Sequence, residues 1–562
     1  MNRRIRILAL TLGAGLTLTS CAAIPMEGAV ERANPVEEVT NQGVRYFPSG
    51  PVSGASREEI VQGFLEAGTG VQGNFAVARE YLSSDLAQRW RPEQRIIIVD
   101  GQASMKTTAT DAVEVSLQSF GEVDAQGNYR VNVQPRTETV DLKLVIQDGE
   151  WRISSAPDVI VLQRQEFADL FRSRNIYFFD SQHRYVTTDM RWVVANRDEA
   201  TRAVELLLAG PTDWLTQGNA VVSAVPEGVR LLQPVAIENG RAVVNLSGEL
   251  SDAKPEQLRM VRLQLEQTLK EVLAISAVEI RVNGAAIDVK LPGKDEVIVQ
   301  TEVNPAPLVA KDDQIGYLSG GEINPPGGAA SVVQVAQQHE VIRGALSMSR
   351  KTATLLTRDE TLAMRFSDEE PQLIDTRPGQ IEPSLDNWDY VWTQSTEQTG
   401  LYYTRIGDPG ATEISLPEGV EDDFVTFQIS RDGVRMAFLY RTGDRIELAI
   451  APIERGENGE PIRLGKPVVL RMPGADATDV AWVDSNTVAM LVDVPDGSTD
   501  VRIYRVGGEL TSLGTIQDAV QIAGSNTLSG MRVIDRNGTL YASRGSGWRS
   551  NAATVSFLFA QE

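Results

Sequence analysis

Cysteine and histidine are almost missing from this chain. Among 562 residues there is one cysteine, Cys21, and there are two histidines, His183 and His339. Neither histidine has a partner at metal-ligand spacing, which excludes zinc sites built from Cys and His. Without a second cysteine there is no intramolecular disulfide, so packed cores must hold the folded parts together. Positive charge is also short: 53 Lys and Arg face 76 Asp and Glu, a net charge of −23, and no basic run offers a local exception. A surface of this sign repels phosphate backbones, so nucleic acid is not expected as a partner. No segment reaches the ~18 consecutive apolar residues of a membrane-spanning helix.

What is present starts with a leader. Arg3, Arg4 and Arg6 precede an apolar stretch from Ile7 to Leu18, and Leu18-Thr19-Ser20-Cys21 follows. The stretch is too short to span a bilayer of roughly 30 Å, and its flanks are those of a processed signal. Leu, two small residues and Cys form the lipobox of bacterial lipoproteins, in which the thiol is diacylated and Cys becomes the new N-terminus. The competing reading is an ordinary secretory signal with an incidental Cys. Residues 1–20 are therefore read as a lipoprotein signal peptide, and Cys21 as the lipidation site carrying an S-diacylglyceryl group and an N-acyl chain. Cleavage removes the three leader arginines, leaving a body of net charge −26. Electrostatics will not hold that body on an anionic membrane; the acyl chains must, at about 0.8 kcal/mol per buried methylene.

Residues 21–50, rich in Pro, Glu, Asn and Gly, read as a flexible tether. Order is expected from Ser56-Arg57-Glu58-Glu59, a capping box, followed by Ile60, Val61, Phe64 and Leu65 on one helical face. A second helical pattern, Val77, Ala78, Tyr81 and Leu82, gives way to period two. Val113, Val115 and Leu117 alternate with polar residues, as do Val140, Leu142, Leu144 and Ile146, and the Asp148-Gly149 turn leads to Trp151 and Ile153. Helices followed by an antiparallel sheet predict an α+β domain over 51–160, with an NTF2-like cone as the expected shape. A second α+β unit is expected over 161–300. Asn175–Asp180 reads as a buried strand, and Ala200, Val204, Leu207 and Leu208 as a helical stripe ending at Gly210-Pro211. Pro255 opens a helix whose apolar face is Leu258, Val261, Leu265, Leu269 and Val272. Val243–Leu246 and Val278, Ile280, Val282 read as strands beside the turns Asn239-Gly240 and Asn283-Gly284.

Residues 301–340 have linker composition, although Ile315–Leu318 could pair with a neighbour. From 341 to 562 a polar turn followed by an alternating strand recurs every 40 to 50 residues. Ser430-Arg431-Asp432-Gly433 before Val434–Phe438 is the clearest copy; echoes begin at Ser347, Asp386, Trp482 and Val533. That period predicts a β-propeller of five or six blades, with a β-sandwich as the competing fold. The fold class is thus multidomain α+β and all-β.

Catalytic signals are weak. No G-x-S-x-G elbow accompanies either histidine. Gly68-Thr69-Gly70-Val71-Gln72-Gly73 satisfies G-x-G-x-x-G but follows a helix rather than a strand, which argues for an inter-helix loop. Glu421-Asp422-Asp423 and Asp368-Glu369-Glu370 are adjacent runs that read as solvated loops, and Asp493–Asp500 lacks the ligand periodicity of a calcium loop. No catalytic residue, cofactor or metal is assigned, and the chain is read as a non-enzyme.

The order of these parts resembles the actinobacterial LpqB lipoprotein family along the whole chain. The resemblance is carried by the leader with Cys21, Ala78-Arg79-Glu80-Tyr81-Leu82 with Trp90-Arg91-Pro92, and Asn175–Asp180. Leu206–Pro211, Ser223–Gly228 and Asn245-Leu246-Ser247 are similar to the GerMN domain of sporulation and germination lipoproteins. Asn245 replaces the family's usual Asp, and Gln217 and Gly218 after Trp214-Leu215 are a further departure. The resemblance implies a palmitate-type lipid anchor and a location on the extracytoplasmic face of the cell membrane. It also implies binding to the extracytoplasmic domain of a two-component sensor histidine kinase, modulating signalling in cell-wall homeostasis and division. The alternative is a lipoprotein that binds or senses cell-wall glycan without a kinase partner.

Overall fold

In a computed structural model, which describes residues 47–562 apart from Arg197, Leu273, Ala274, Asp313, residues 473–475 and Ser546, the first helix is Arg57–Ala67. Ser56 caps it: the Ser56 side chain accepts from the Glu59 amide while Glu59 reaches back to the Ser56 amide. Ile60, Val61 and Phe64 are buried, as the spacing predicts. Cys21 and the tether lie outside the described residues. The helices pack on a sheet ordered Glu150–Ser155, Tyr129–Gln147, Ala112–Asp124, Arg95–Val99, Ile160–Gln163. Arg95–Val99 and Ile160–Gln163 run parallel and the other neighbours antiparallel. Between the pairs Ser119–Arg136 and Gly121–Val131 a single residue faces four, so Tyr129–Gln147 carries a wide bulge at Asn132–Pro135. Bulges of this kind bend a strand and end its pairing locally.

The second unit has two sheets. Phe171–Asp180 lies between Val186–Val194 and Val221–Val222; Arg241–Leu246 runs parallel to Ala277–Val282, with the helix Pro255–Lys270 between them in sequence. Val261, Leu265 and Leu269 of that helix are fully buried. The turns Asp148-Gly149, Asn239-Gly240 and Asn283-Gly284 each hold two consecutive residues at positive φ. Such turns match the right-handed twist of the strands they join.

Among the described residues the remaining chain forms six sheets arranged as a closed ring. Their innermost strands are Arg343–Leu346, Ser384–Leu385, Phe424–Ile429, Asp476–Trp482, Ala519–Ala523 and Phe557–Leu558, and each contacts the next around the circle. This is a six-bladed propeller. Its first blade consists of Leu308–Lys311, Gln314–Ser319 and Glu322–Asn324, with Phe557–Leu558 from the far end of the chain as inner strand. Ala560–Gln561 then pairs with Arg343–Leu346 of the second blade, joining both ends of the ring. The segment 301–340, expected to be a linker, therefore supplies three strands and the helix Ala330–Gln338. Apart from Gly316, which lies within Gln314–Ser319, its Pro and Gly residues flank short strands, with Gly320 and Gly321 at φ of 60° and 88° in one turn. Composition alone does not separate such a blade from a spacer.

In blades two to five the recurring polar turn joins the innermost strand to the next, and in the sixth it joins the second strand, Arg532–Asp535, to the third, Thr539–Arg544. Ser347, Asp386, Ser430, Asp484 and Asp535 each accept hydrogen bonds from backbone amides two to five residues later. Asx- and Ser-type turns of this sort reverse a strand without large side chains, which explains the repeat.

Candidate functional site: a cleft where three domains meet

The three folded parts are joined by buried polar contacts. Asp432, in the fourth-blade turn, accepts from Thr187 Oγ1 (2.7 Å) and from Arg435 Nη2 (2.7 Å). Asp432 and Arg435 are 3% and 0% exposed. Thr188 Oγ1 donates to Asn486 of the fifth blade, and Asn486 Nδ2 donates to Asn175. Trp388 of the third blade donates from Nε1 to Gln182 and rests against Tyr185, while the Arg455 guanidinium lies 4.2 Å from its ring centroid and pairs with buried Asp386. On the other side, Trp192 packs between Tyr129 and Phe167, takes a bond from its amide to Gly127 O and donates from Nε1 to Gly507 O. Trp192 thus touches all three parts at once.

These contacts frame a cleft of about 1070 Å³, at the upper end of the range for ligand sites. Its walls come from Tyr129–Arg136, from Thr188–Arg191 with Gly210–Leu215, and from Val468–Arg471 with Tyr504, Val506 and Gly507. At its base Arg191, 2% exposed, pairs with Asp189 at 2.5 Å, and Asp189 also accepts from the Thr212 amide and hydroxyl. Nε of both Arg191 and Arg435 is buried without a partner. Burial raises the pKa of the Tyr129 hydroxyl, and raises that of Tyr504 to about 12, so both stay neutral.

A second polar centre lies in the propeller channel. Glu382, Asp479 and Glu562 come from three of the innermost segments. Burial is the main cause that raises all three carboxyl pKa values; for Glu382 the nearby Asp479 charge adds to it, and Glu562 titrates at about 7. Glu562 accepts from Ser384 Oγ and the Leu385 amide, Asp479 from the Ile522 amide, and Glu382 from Gln521 Nε2, with Arg343 3.5 Å away. Arg431, its pKa lowered to about 10 by burial, donates to Gln561 O.

The candidates named from sequence fall apart in space or into structural work. His183, at φ 57°, packs at a tilt against Phe179, and burial lowers its pKa; His339 ends the helix Ala330–Gln338 beside Glu360. Gly68 and Gly70 follow the first helix, where an added Cβ would meet Ile160 at 3.0 Å and Pro48 at 2.8 Å. They are packing glycines. Asp493 and Asp496 bond Thr499 and Ser498 within one hairpin, and Asp368 accepts from the Arg365 amide. Among the described residues no group of three or more His, Cys, Asp or Glu is placed to hold a metal ion. Of the family departures, Gln217 accepts from the Lys466 amide of the propeller, and Asn245 accepts from the Gly284 amide. The cleft and the channel carboxylates were not foreseen. Their residues lie up to several hundred positions apart and carry no local motif.

Known proteins match most of the chain. Residues 50–168 match the family described as "Lipoprotein LpqB, N-terminal domain", residues 175–288 match "Sporulation and spore germination", and residues 313–556 match "Lipoprotein LpqB beta-propeller domain". The chain is 24% identical over 540 residues to Lipoprotein LpqB of Cutibacterium acnes, covering 90% of this chain and 89% of the relative. With Lipoprotein LpqB of Streptomyces coelicolor it shares 25% over 561 residues, covering 90% and 89%. Among solved structures, the first GerMN domain of the sporulation protein GerM from Bacillus subtilis is 22% identical, covering 22% of this chain and 96% of that one, with a TM-score of 0.19. The nidogen/laminin complex is 9% identical, covering 45% and 96%, with a TM-score of 0.33.

Proposed function

Because the chain belongs to the LpqB lipoprotein family, we propose that it is held on the extracytoplasmic face of the cell membrane by acylated Cys21 and works there as a binding protein. Its partner in this reading is the extracytoplasmic domain of a two-component sensor histidine kinase, whose signalling in cell-wall homeostasis and division it modulates. The role is non-catalytic. The observation that carries the reading is the joint at Trp192, Asp432 and Trp388, which locks three domains around one open cleft. A rigid, multi-domain surface suits recognition of another protein, because little conformational freedom is lost on binding.

A partner shifts a kinase between signalling states only by its difference in affinity for them. Holding both proteins on one membrane raises their effective concentration, so a weak interface suffices. No helix among the described residues is long and apolar enough to cross a membrane, so in this reading the acyl chains carry the attachment. Co-purification of acylated protein with a sensor kinase from crosslinked, detergent-solubilised envelope tests the proposal. Recovery of the kinase with wild type but not with Cys21→Ala is the expected result. Recovery of wall glycan alone would replace this reading with the glycan-binding one.

A further inference from the structure

The cleft touches eight consecutive residues of one strand, Tyr129–Arg136, four of them in its bulge, and four consecutive residues each of two others, Thr188–Arg191 and Val468–Arg471. Side chains of a strand alternate between its two faces, so a cavity that meets consecutive residues is looking at the strand's edge. All three are edge strands here. Val468–Arg471 pairs with Arg445–Arg455 on one side and, among the described residues, with no strand on the other. Val186–Val194 is the outer strand of its sheet, and Tyr129–Gln147 pairs on one side only at residues 129–131 and 136–142 and on neither side at the bulge Asn132–Pro135. Proteins ordinarily cover or charge such edges, because their unpaired amides and carbonyls accept another strand.

We infer that this cleft binds an extended peptide segment of a partner polypeptide, which adds as a strand to Val468–Arg471, with Val131–Arg136 as the opposite wall. Main-chain hydrogen bonds would supply affinity and alternate side chains specificity. The paired stretch of four residues spans about 13 Å at 3.3 Å per residue, so the core of the occupant is short. Charge selects its chemistry. On a chain of net charge −23 the cleft is lined by five arginines against four carboxylates. Arg136 has no ion-pair partner among the described residues, and Arg471, 76% exposed, has only Glu447 at 3.9 Å. The occupant therefore carries a carboxylate flanked by small apolar residues that fit against half-buried Val468, beside Val131 and Val133, which also pack on the propeller cluster of Leu470 and Val506. The inference rests on the reading of the chain as a protein-binding lipoprotein and names the surface it would use.

The test pans a random linear dodecapeptide library against the full acylated chain in detergent micelles and synthesises the selected peptides. Expected are carboxylate-bearing binders that slow amide exchange at Val468–Arg471. N-methylation of alternate peptide residues should weaken them at least tenfold, while methylation of the intervening residues should not. Val468 belongs to no buried cluster, so Val468→Glu should cost the same tenfold with an unchanged melting temperature, and Arg471→Ala should abolish the preference for a carboxylate. No binders, exchange protection elsewhere, or indifference to N-methylation overturns the inference, as does displacement of the peptides by soluble wall glycan. Kinase crosslinks that persist in Val468→Glu overturn the cleft assignment and leave the kinase reading standing. Peptide binding without kinase crosslinks does the reverse.

Discussion

Glu382→Gln should make the propeller more stable above neutral pH and leave it nearly unchanged in acid. In the channel, Glu382, Asp479 and Glu562 all have folded-state pKa values raised above the unfolded ones, chiefly by burial. A raised carboxyl takes up its proton on folding, so its stabilisation is complete below about pH 4.5 and is lost as pH rises through the folded-state value. Glu562 moves from 4.5 to about 7, and at 1.36 kcal/mol per pH unit it alone removes roughly 3 kcal/mol across that interval. Glu382 shares the direction and keeps 21% of its side chain open to the lumen, which moderates the cost. Replacing it with neutral Gln keeps an acceptor for Gln521 and removes one of the charges crowded there. The expected gain is roughly 1–3 kcal/mol at pH 8.5, or several degrees of melting temperature for a unit of this size. Calorimetry of wild type and variant at pH 5 and pH 8.5 measures it. A variant less stable than wild type at pH 8.5, or a difference equal at both pH values, would refute the reasoning.

Three further outcomes are expected. Gly433 sits at φ 68° with an added Cβ only 2.0 Å from the Trp388 ring, so Gly433→Ala should cost about 3 kcal/mol from backbone strain and overpacking together, read by urea unfolding. Asp432→Ala strands the buried Arg435 guanidinium and Thr187 hydroxyl; a loss of roughly 3–5 kcal/mol is expected, with limited proteolysis separating the propeller from the preceding domain. Cys21→Ala should accumulate as unprocessed precursor without labelled fatty acid, and incorporation of label would sink the lipobox reading.

What was legible in the chain was local. The Ser56 capping box, the helical faces of Val261, Leu265 and Leu269, and the turns at Asp148, Asn239 and Asn283 each depend on residues within a few positions of one another. The propeller showed through because its inter-strand turn, sharpest at Ser430–Gly433, repeats. Blade one stayed hidden for a related reason. Its inner strand, Phe557–Leu558, comes from the opposite end of the chain, so no four-strand pattern exists in 301–340 to be read. The cleft is the extreme case, where Gly127, Trp192 and Gly507 meet only after three domains have folded. Gln217 could have been a hint: a polar residue departing from the family pattern turned out to bond the propeller.

In the proposed reading the body, held at Cys21, acts by contact with a membrane-embedded signalling protein. Crosslinking mass spectrometry in intact envelopes tests it most directly. Crosslinks are expected from residues around the cleft, on the propeller and on the Tyr129–Arg136 stretch, to the extracytoplasmic domain of one sensor histidine kinase, and are lost when Cys21 is replaced. Crosslinks confined to wall-associated proteins, or unchanged by removal of the anchor, would contradict it.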